Sequence, residues 1–110
     1  MLEGIFGNKT AEKVLLHIYH YGESYPSAIS QDLKIANNPV VKQLDRFEKA
    51  QILSAKVMGR TRIYKFNERF PLTSPVKELI KRVYESIPLK QREKMFASRR
   101  RPRARGKPVQ

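Results

Sequence analysis

The run Leu33-Lys34-Ile35-Ala36-Asn37-Asn38-Pro39-Val40-Val41-Lys42-Gln43-Leu44-Asp45-Arg46-Phe47-Glu48-Lys49-Ala50-Gln51-Ile52-Leu53 decides the fold. Within it Val40, Leu44 and Phe47 stand four and then three residues apart, the repeat of one helical face, and Lys42, Asp45, Arg46 and Lys49 fall opposite them. This spacing predicts an amphipathic helix over 37–50. Just upstream, Pro26 suits a first helical turn, and Ala28, Ile29 and Leu33 make a short apolar stripe that ends near Lys34. A short helix, the connector Ile35-Ala36-Asn37 and a longer amphipathic helix together make a helix-turn-helix.

Working outward, the period changes downstream of the run. In 52–57 and again in 61–66, β-formers partly alternate with polar residues, and Met58-Gly59-Arg60 lies between them. This predicts a β-hairpin with Gly59 near its tip. Beyond it, Ser74-Pro75 has the form of a cap and first-turn proline. Val76, Leu79, Ile80, Val83 and Ile87 follow at helical spacing, predicting a helix over 75–86 with one strongly apolar face. Pro88 interrupts it, and Leu89, Met95 and Phe96 suggest a further short helix. Upstream, Thr10 is the expected cap of a helix over 9–21 carrying Ala11, Val14, Leu15 and Ile18, with Gly22 as its left-handed stop. Leu2, Ile5 and Phe6 are apolar enough to pack on the domain or on a second subunit. The order helix, helix, helix, hairpin, helix gives a mainly α fold with a small β-hairpin, the winged helix-turn-helix arrangement.

The Leu33 to Leu53 run, together with Met58-Gly59-Arg60-Thr61-Arg62-Ile63-Tyr64, resembles the helix-turn-helix and wing of ArsR-type transcriptional regulators, over about residues 5–85. The resemblance implies DNA binding, and a homodimer built on the first and last helices. Three features depart from the family pattern. Gln51 stands where Gly is usual after the recognition helix, so a left-handed exit there is strained or the exit differs. Ala36 stands at the usual Ser cap, and Pro39 favours Asn38 as a local cap and a later helix start. The Cys pairs near the recognition helix, or His and Asp on the last helix, by which metal-sensing members bind their ions are missing.

The bulk composition agrees with a single nucleic-acid-binding domain. The chain has 110 residues, room for one domain and no separate catalytic one. Its 23 Lys and Arg against 10 Asp and Glu give a formal charge of +13, which favours polyanions through counterion release. Arg99, Arg100, Arg101, Arg103, Arg105 and Lys107 form a tail without acids, and the remainder still carries +7. Residues 1–97 are therefore expected to fold and 98–110 to be a disordered basic tail. The absence of Cys excludes disulfides and thiolate metal sites. No apolar run reaches membrane-spanning length and no leader pattern is present, so a cytoplasmic, nucleoid-associated protein is expected, with no membrane partner.

An α-helix fits the major groove, and side chains in its first two turns reach base edges. Asn38, Val41 and Lys42 are the candidates for bases, Asn37 and Gln43 lie to the sides, and Arg46 and Lys49 suit phosphates. On the hairpin, Arg60 and Arg62 flank the tip and suit a minor groove or phosphates, while Tyr64 and Phe66 are expected in the core. In the tail, Arg105-Gly106-Lys107-Pro108 resembles the centre of an AT-hook; a nonspecific polybasic tail is the alternative. Val76, Leu79, Ile80, Val83 and Ile87 are the candidate dimerisation face. His17 and His20, three apart and near Glu23, lack further convincing metal ligands, so no metal or cofactor is expected. Nor is there a phosphate loop, an activated nucleophile or an apolar carboxylate pair, which points away from an enzyme. Double-stranded DNA is the expected partner. A protein partner from the same operon, bound by a winged-helix adaptor or antitoxin, is the alternative, and RNA stays open on charge.

Overall fold

The computed structural model describes residues 1–96 and contains α1 (Glu3–Phe6), α2 (Lys9–Tyr21), β1 (Glu23–Ser24), α3 (Pro26–Leu33), α4 (Asn37–Lys49), β2 (Leu53–Met58), β3 (Thr61–Phe66), α5 (Thr73–Ser86) and α6 (Leu89–Met95). The six tail cations Arg99, Arg100, Arg101, Arg103, Arg105 and Lys107, and the boundary after residue 97, lie outside the described residues. Among the described residues no helix is long and apolar enough to cross a membrane.

Helix α2 is the centre of the fold. Ala11, Val14, Leu15 and Ile18 are fully buried, and so is His17, so the helix is covered on more than one side. Its cap is Asn8, not Thr10: the Asn8 side chain accepts the Ala11 N–H at 2.7 Å, the bond an N-cap makes to the third helical residue. Gly22 ends it at φ +87°, as the sequence suggests.

The helix-turn-helix forms by backbone means. Lys34 takes the left-handed conformation at φ +56°, and Ser30 O accepts the Ile35 N–H at 3.2 Å, closing the turn into α4. Helix α4 starts at Asn37, so the expected late start with Asn38 as cap is corrected: Ala36 stands at the N-cap and no side chain caps the helix. Pro39 is the third helical residue, where a missing N–H leaves no intrahelical bond unmade. Val40, Leu44 and Phe47 are buried against α2 and α3. At the exit, Gln51 is left-handed at φ +68°. The Ile52 N–H reaches Phe47 O at 3.0 Å and the Gln51 N–H reaches Glu48 O at 2.9 Å, the paired bonds of a Schellman motif, with Ile52 and Phe47 both in the core.

The hairpin pairs Leu53 with Phe66 through to Met58 with Thr61, leaving a two-residue loop. Gly59, first in that loop, has φ +64°, the position at which a II′-type hairpin turn demands glycine. The sheet order is β1-β3-β2. Strand β1 was not legible in the sequence, because two polar residues carry no alternation; it exists through pairing of Glu23 with Lys65 and Ser24 with Tyr64. Tyr64 and Phe66 are buried.

Helix α5 begins at Thr73, whose side chain is buried, and Pro75 is again the third helical residue. The expected Ser74 cap is therefore corrected, Leu72 standing at the N-cap. The apolar face of α5, the candidate dimerisation face, is partly covered within the chain itself. Ile80 is fully buried and Val83 nearly so within this chain's own core, because α5 packs along α2. Val76 and Ile87 are partly buried against the same core, and Leu79 is half-buried. After α6, Phe96 is buried beside His20 and Tyr21, and its carbonyl accepts the Tyr21 hydroxyl at 2.6 Å. At the N-terminus Leu2 and Phe6 pack on the core, whereas Ile5 is exposed.

Candidate nucleic-acid interface

The first two turns of α4 hold most of the candidate base-contacting residues. Asn37, Asn38 and Lys42 are exposed, and Val41 and Gln43 are half-buried at the sides. Asn38, Val41, Lys42 and Gln43 border a shallow open groove whose other wall is Asn8 and Thr10, at the start of α2. The sequence reading did not anticipate Asn8 and Thr10 here. Nothing in helical spacing reports the approach of two helix starts about thirty residues apart in the chain.

Further along α4 the two later candidates differ. Arg46 donates from Nη2 to the Phe6 carbonyl at 2.6 Å and lies 5.2 Å from the Phe47 ring centroid, so it ties α1 to α4. Lys49, in the last turn, is exposed and takes part in no ion pair among the described residues.

The two wing arginines part company. Arg60, in the turn, is exposed and forms no ion pair among the described residues, and the same holds for Lys56. Arg62 shares the face of β3 that carries Tyr64 and Phe66, which turns toward α4. Its Nη2 donates to Glu48 Oε2 at 2.6 Å and its Nε to the Tyr64 hydroxyl at 3.3 Å. The Tyr64 hydroxyl, and after it the Glu48 carboxylate, holds the guanidinium pKa above its ordinary value. Arg62 thus joins the wing to α4 rather than standing beside Arg60 as a second free cation. The acid that captures it, Glu48, could be paired with it only once the hairpin register was known.

The two histidines do not converge. His17 Nε2 donates to Asp32 Oδ2 at 2.7 Å in a buried bond between α2 and α3. His20 Nδ1 lies 2.7 Å from the Tyr84 hydroxyl, and its ring stacks on Phe96. Among the described residues no three His, Cys, Asp or Glu side chains are grouped to hold a metal.

No family model matches the sequence, and no curated protein matches it. Solved structures do. AF1382 from Archaeoglobus fulgidus superposes with a TM-score of 0.61 at 19% identity, covering 76% of this chain and 92% of that one. The antimony-specific transcriptional repressor AntR gives 0.59 at 21% identity, over 76% of this chain and 74% of that one. A MepR-like protein complexed with pseudoligands gives 0.54 at 14%, over 87% and 74%. At these identities the likeness establishes the fold: the chain is a winged helix-turn-helix.

Proposed function

We propose that the protein is a sequence-specific transcriptional regulator of double-stranded DNA, a homodimeric repressor that lays α4 in the major groove and the wing on the adjacent minor groove or backbone. The observation that carries this reading is the start of α4. Asn37, Asn38 and Lys42 stand exposed, Lys42 without an ion-pair partner among the described residues, above a groove walled by Asn8 and Thr10. Asn presents the donor and acceptor that pair with adenine, Lys can donate to guanine, and the Val41 side chain can meet a thymine methyl. Exposed Lys49, Lys56 and Arg60 extend the basic surface toward phosphates. That a winged-helix neighbour in structure is a transcriptional repressor agrees with it, and of such regulators the ArsR type is the one the Leu33 to Leu53 run resembles.

The dimer is proposed on what α5 leaves uncovered: half-buried Leu79, Val76 and Ile87, with the exposed apolar side chains of Ile5 on α1 and Leu89 on α6 as further candidates. Ile80 and Val83 support that surface from within. Two-fold symmetry would set the recognition helices about one DNA turn apart, ~34 Å, on an inverted repeat. The basic tail adds affinity for any sequence. Footprinting the full chain on the DNA upstream of its own gene tests the reading. Protection of an inverted repeat at moderate salt is the expected result. Uniform binding of random and genomic DNA, with no protected repeat, would refute it.

A further inference from the structure

Exposure rises steeply along β2, from Leu53 at 1% through half-buried Ser54 and Ala55 to Val57 at 65% and Met58 at 53%. The hairpin therefore leaves the body of the domain and ends in two large apolar side chains in open solvent. They lie on opposite faces of the ribbon: Val57 is paired with Arg62 on the face turned toward α4, and Met58 with Thr61 on the other. Gly59 keeps the tip thin, and open space surrounds the place where a side chain would begin. Lys56 and Arg60 bracket this apolar pair, both exposed, with no acid between 49 and 67 in the sequence.

A thin ribbon that carries an apolar side chain on each face, with a cation before and after them along the chain, matches one kind of surface. The minor groove of DNA is about 6 Å wide, with anionic backbones as rails and stacked apolar bases behind them. Architectural proteins exploit this by driving Met, Leu, Ile or Phe between two base pairs, which kinks the duplex. We propose that the wing tip is such a wedge: Met58, backed by Val57, enters the minor groove and partly unstacks a base step while Lys56 and Arg60 hold the flanking phosphates. The step most easily opened is pyrimidine–purine, so the wedge would add a preference at positions α4 never touches. The bridge from Arg62 to Glu48 ties the ribbon to α4.

This inference rests on the DNA reading above, and its test separates the two. The full chain is bound to its footprinted duplex, end-labelled for energy transfer and carrying 2-aminopurine at the step facing the wing. The wild type is expected to bend the duplex, by on the order of 20–90°, and to raise 2-aminopurine fluorescence several-fold. The double substitution Val57→Ser with Met58→Ser should abolish both signals yet keep the footprint, and Met58→Leu should preserve both. A footprint on straight DNA with unchanged fluorescence overturns the wedge alone. So does a change of oligomeric state in the Ser variant with bending intact, which would make the patch a protein interface. Absence of any footprint overturns both readings.

Discussion

The first two turns of α4 and its last two belong to one helix with one apolar stripe, but their outer faces have different occupations. In the first, Asn37, Asn38 and Lys42 are exposed, and Lys42 forms no ion pair among the described residues. In the second, Arg46 holds the Phe6 carbonyl, Glu48 holds Arg62, and the chain leaves through a Schellman turn. Lys42 and Arg46 stand four residues apart with the same charge and similar exposure, so charge and periodicity alone rank them equally. What separates them is the rest of the fold: α1 and the wing both dock on the later half and leave the earlier half clear. The outer face of one helix is thus divided into a part that helps assemble the domain and an exposed part that the proposed function assigns to the ligand.

Substitutions in the two halves should accordingly fail in different assays. The largest effect belongs to the assembling half. Phe47 is buried in the core and meets the Phe6 ring edge-on, so Phe47→Ala should cost about 3–5 kcal/mol in urea unfolding. In the ligand half, Lys42→Ala should leave unfolding unchanged within about 0.5 kcal/mol. It should instead weaken binding to the footprinted site by about 1–3 kcal/mol, roughly 5- to 150-fold, and relax preference at one base pair. If Lys42→Ala weakens random and specific DNA equally, Lys42 is a phosphate contact and the division has been drawn in the wrong place.

How much of this was legible in the sequence follows the same division. The stripe of Val40, Leu44 and Phe47, the Gly59 turn and the Gly22 stop depend on local periodicity and φ preference, and each formed as read. Helix caps were misread at three places, Thr10 for Asn8, Asn38 for Ala36 and Ser74 for Leu72. Two of these depended on proline, whose ring tolerates the third helical position as well as the first. Contacts between distant segments were not legible. Nothing local marks Arg46 as bound to Phe6, Glu48 as bound to Arg62, or Ile80 and Val83 as covered by α2. Candidate binding residues chosen from exposed helical positions therefore included both free and structural cations.

The bridge between the halves offers a subtler test. Glu48→Gln removes the carboxylate that holds Arg62 and lowers the negative charge next to the proposed phosphate path. Because the pair is solvent-exposed, little change in stability is expected. Arg62, released, becomes available to DNA, and the slope of log affinity against log salt should steepen by about 0.9, one phosphate contact more. Specific and random duplexes should show the same increment. An unchanged slope, with the wing's amide exchange also unchanged, would mean that the Tyr64 hydroxyl and ring are enough to hold Arg62 in place.

The smallest effect concerns the joint where the assembling half ends. Gln51 occupies the C′ position of the Schellman turn at φ +68°, a conformation a side chain disfavours and glycine adopts freely. Its bonds there are all made by backbone: its N–H to Glu48 O, and its carbonyl accepting the Asn67 side chain at 3.0 Å. The side chain is exposed, so Gln51→Gly forfeits little contact while relieving the left-handed strain. Against this, glycine loses more freedom on folding, which offsets part of the gain. The net should be a stabilisation of about 0.5–1 kcal/mol, a rise of about 2–8 °C in Tm for a domain of this size. DNA affinity should not move, because none of the residues proposed to contact bases bonds to Gln51. A rise in Tm accompanied by weaker specific binding would show that strain at the exit sets the pose of the wing, and the two halves of α4 would then be coupled rather than divided.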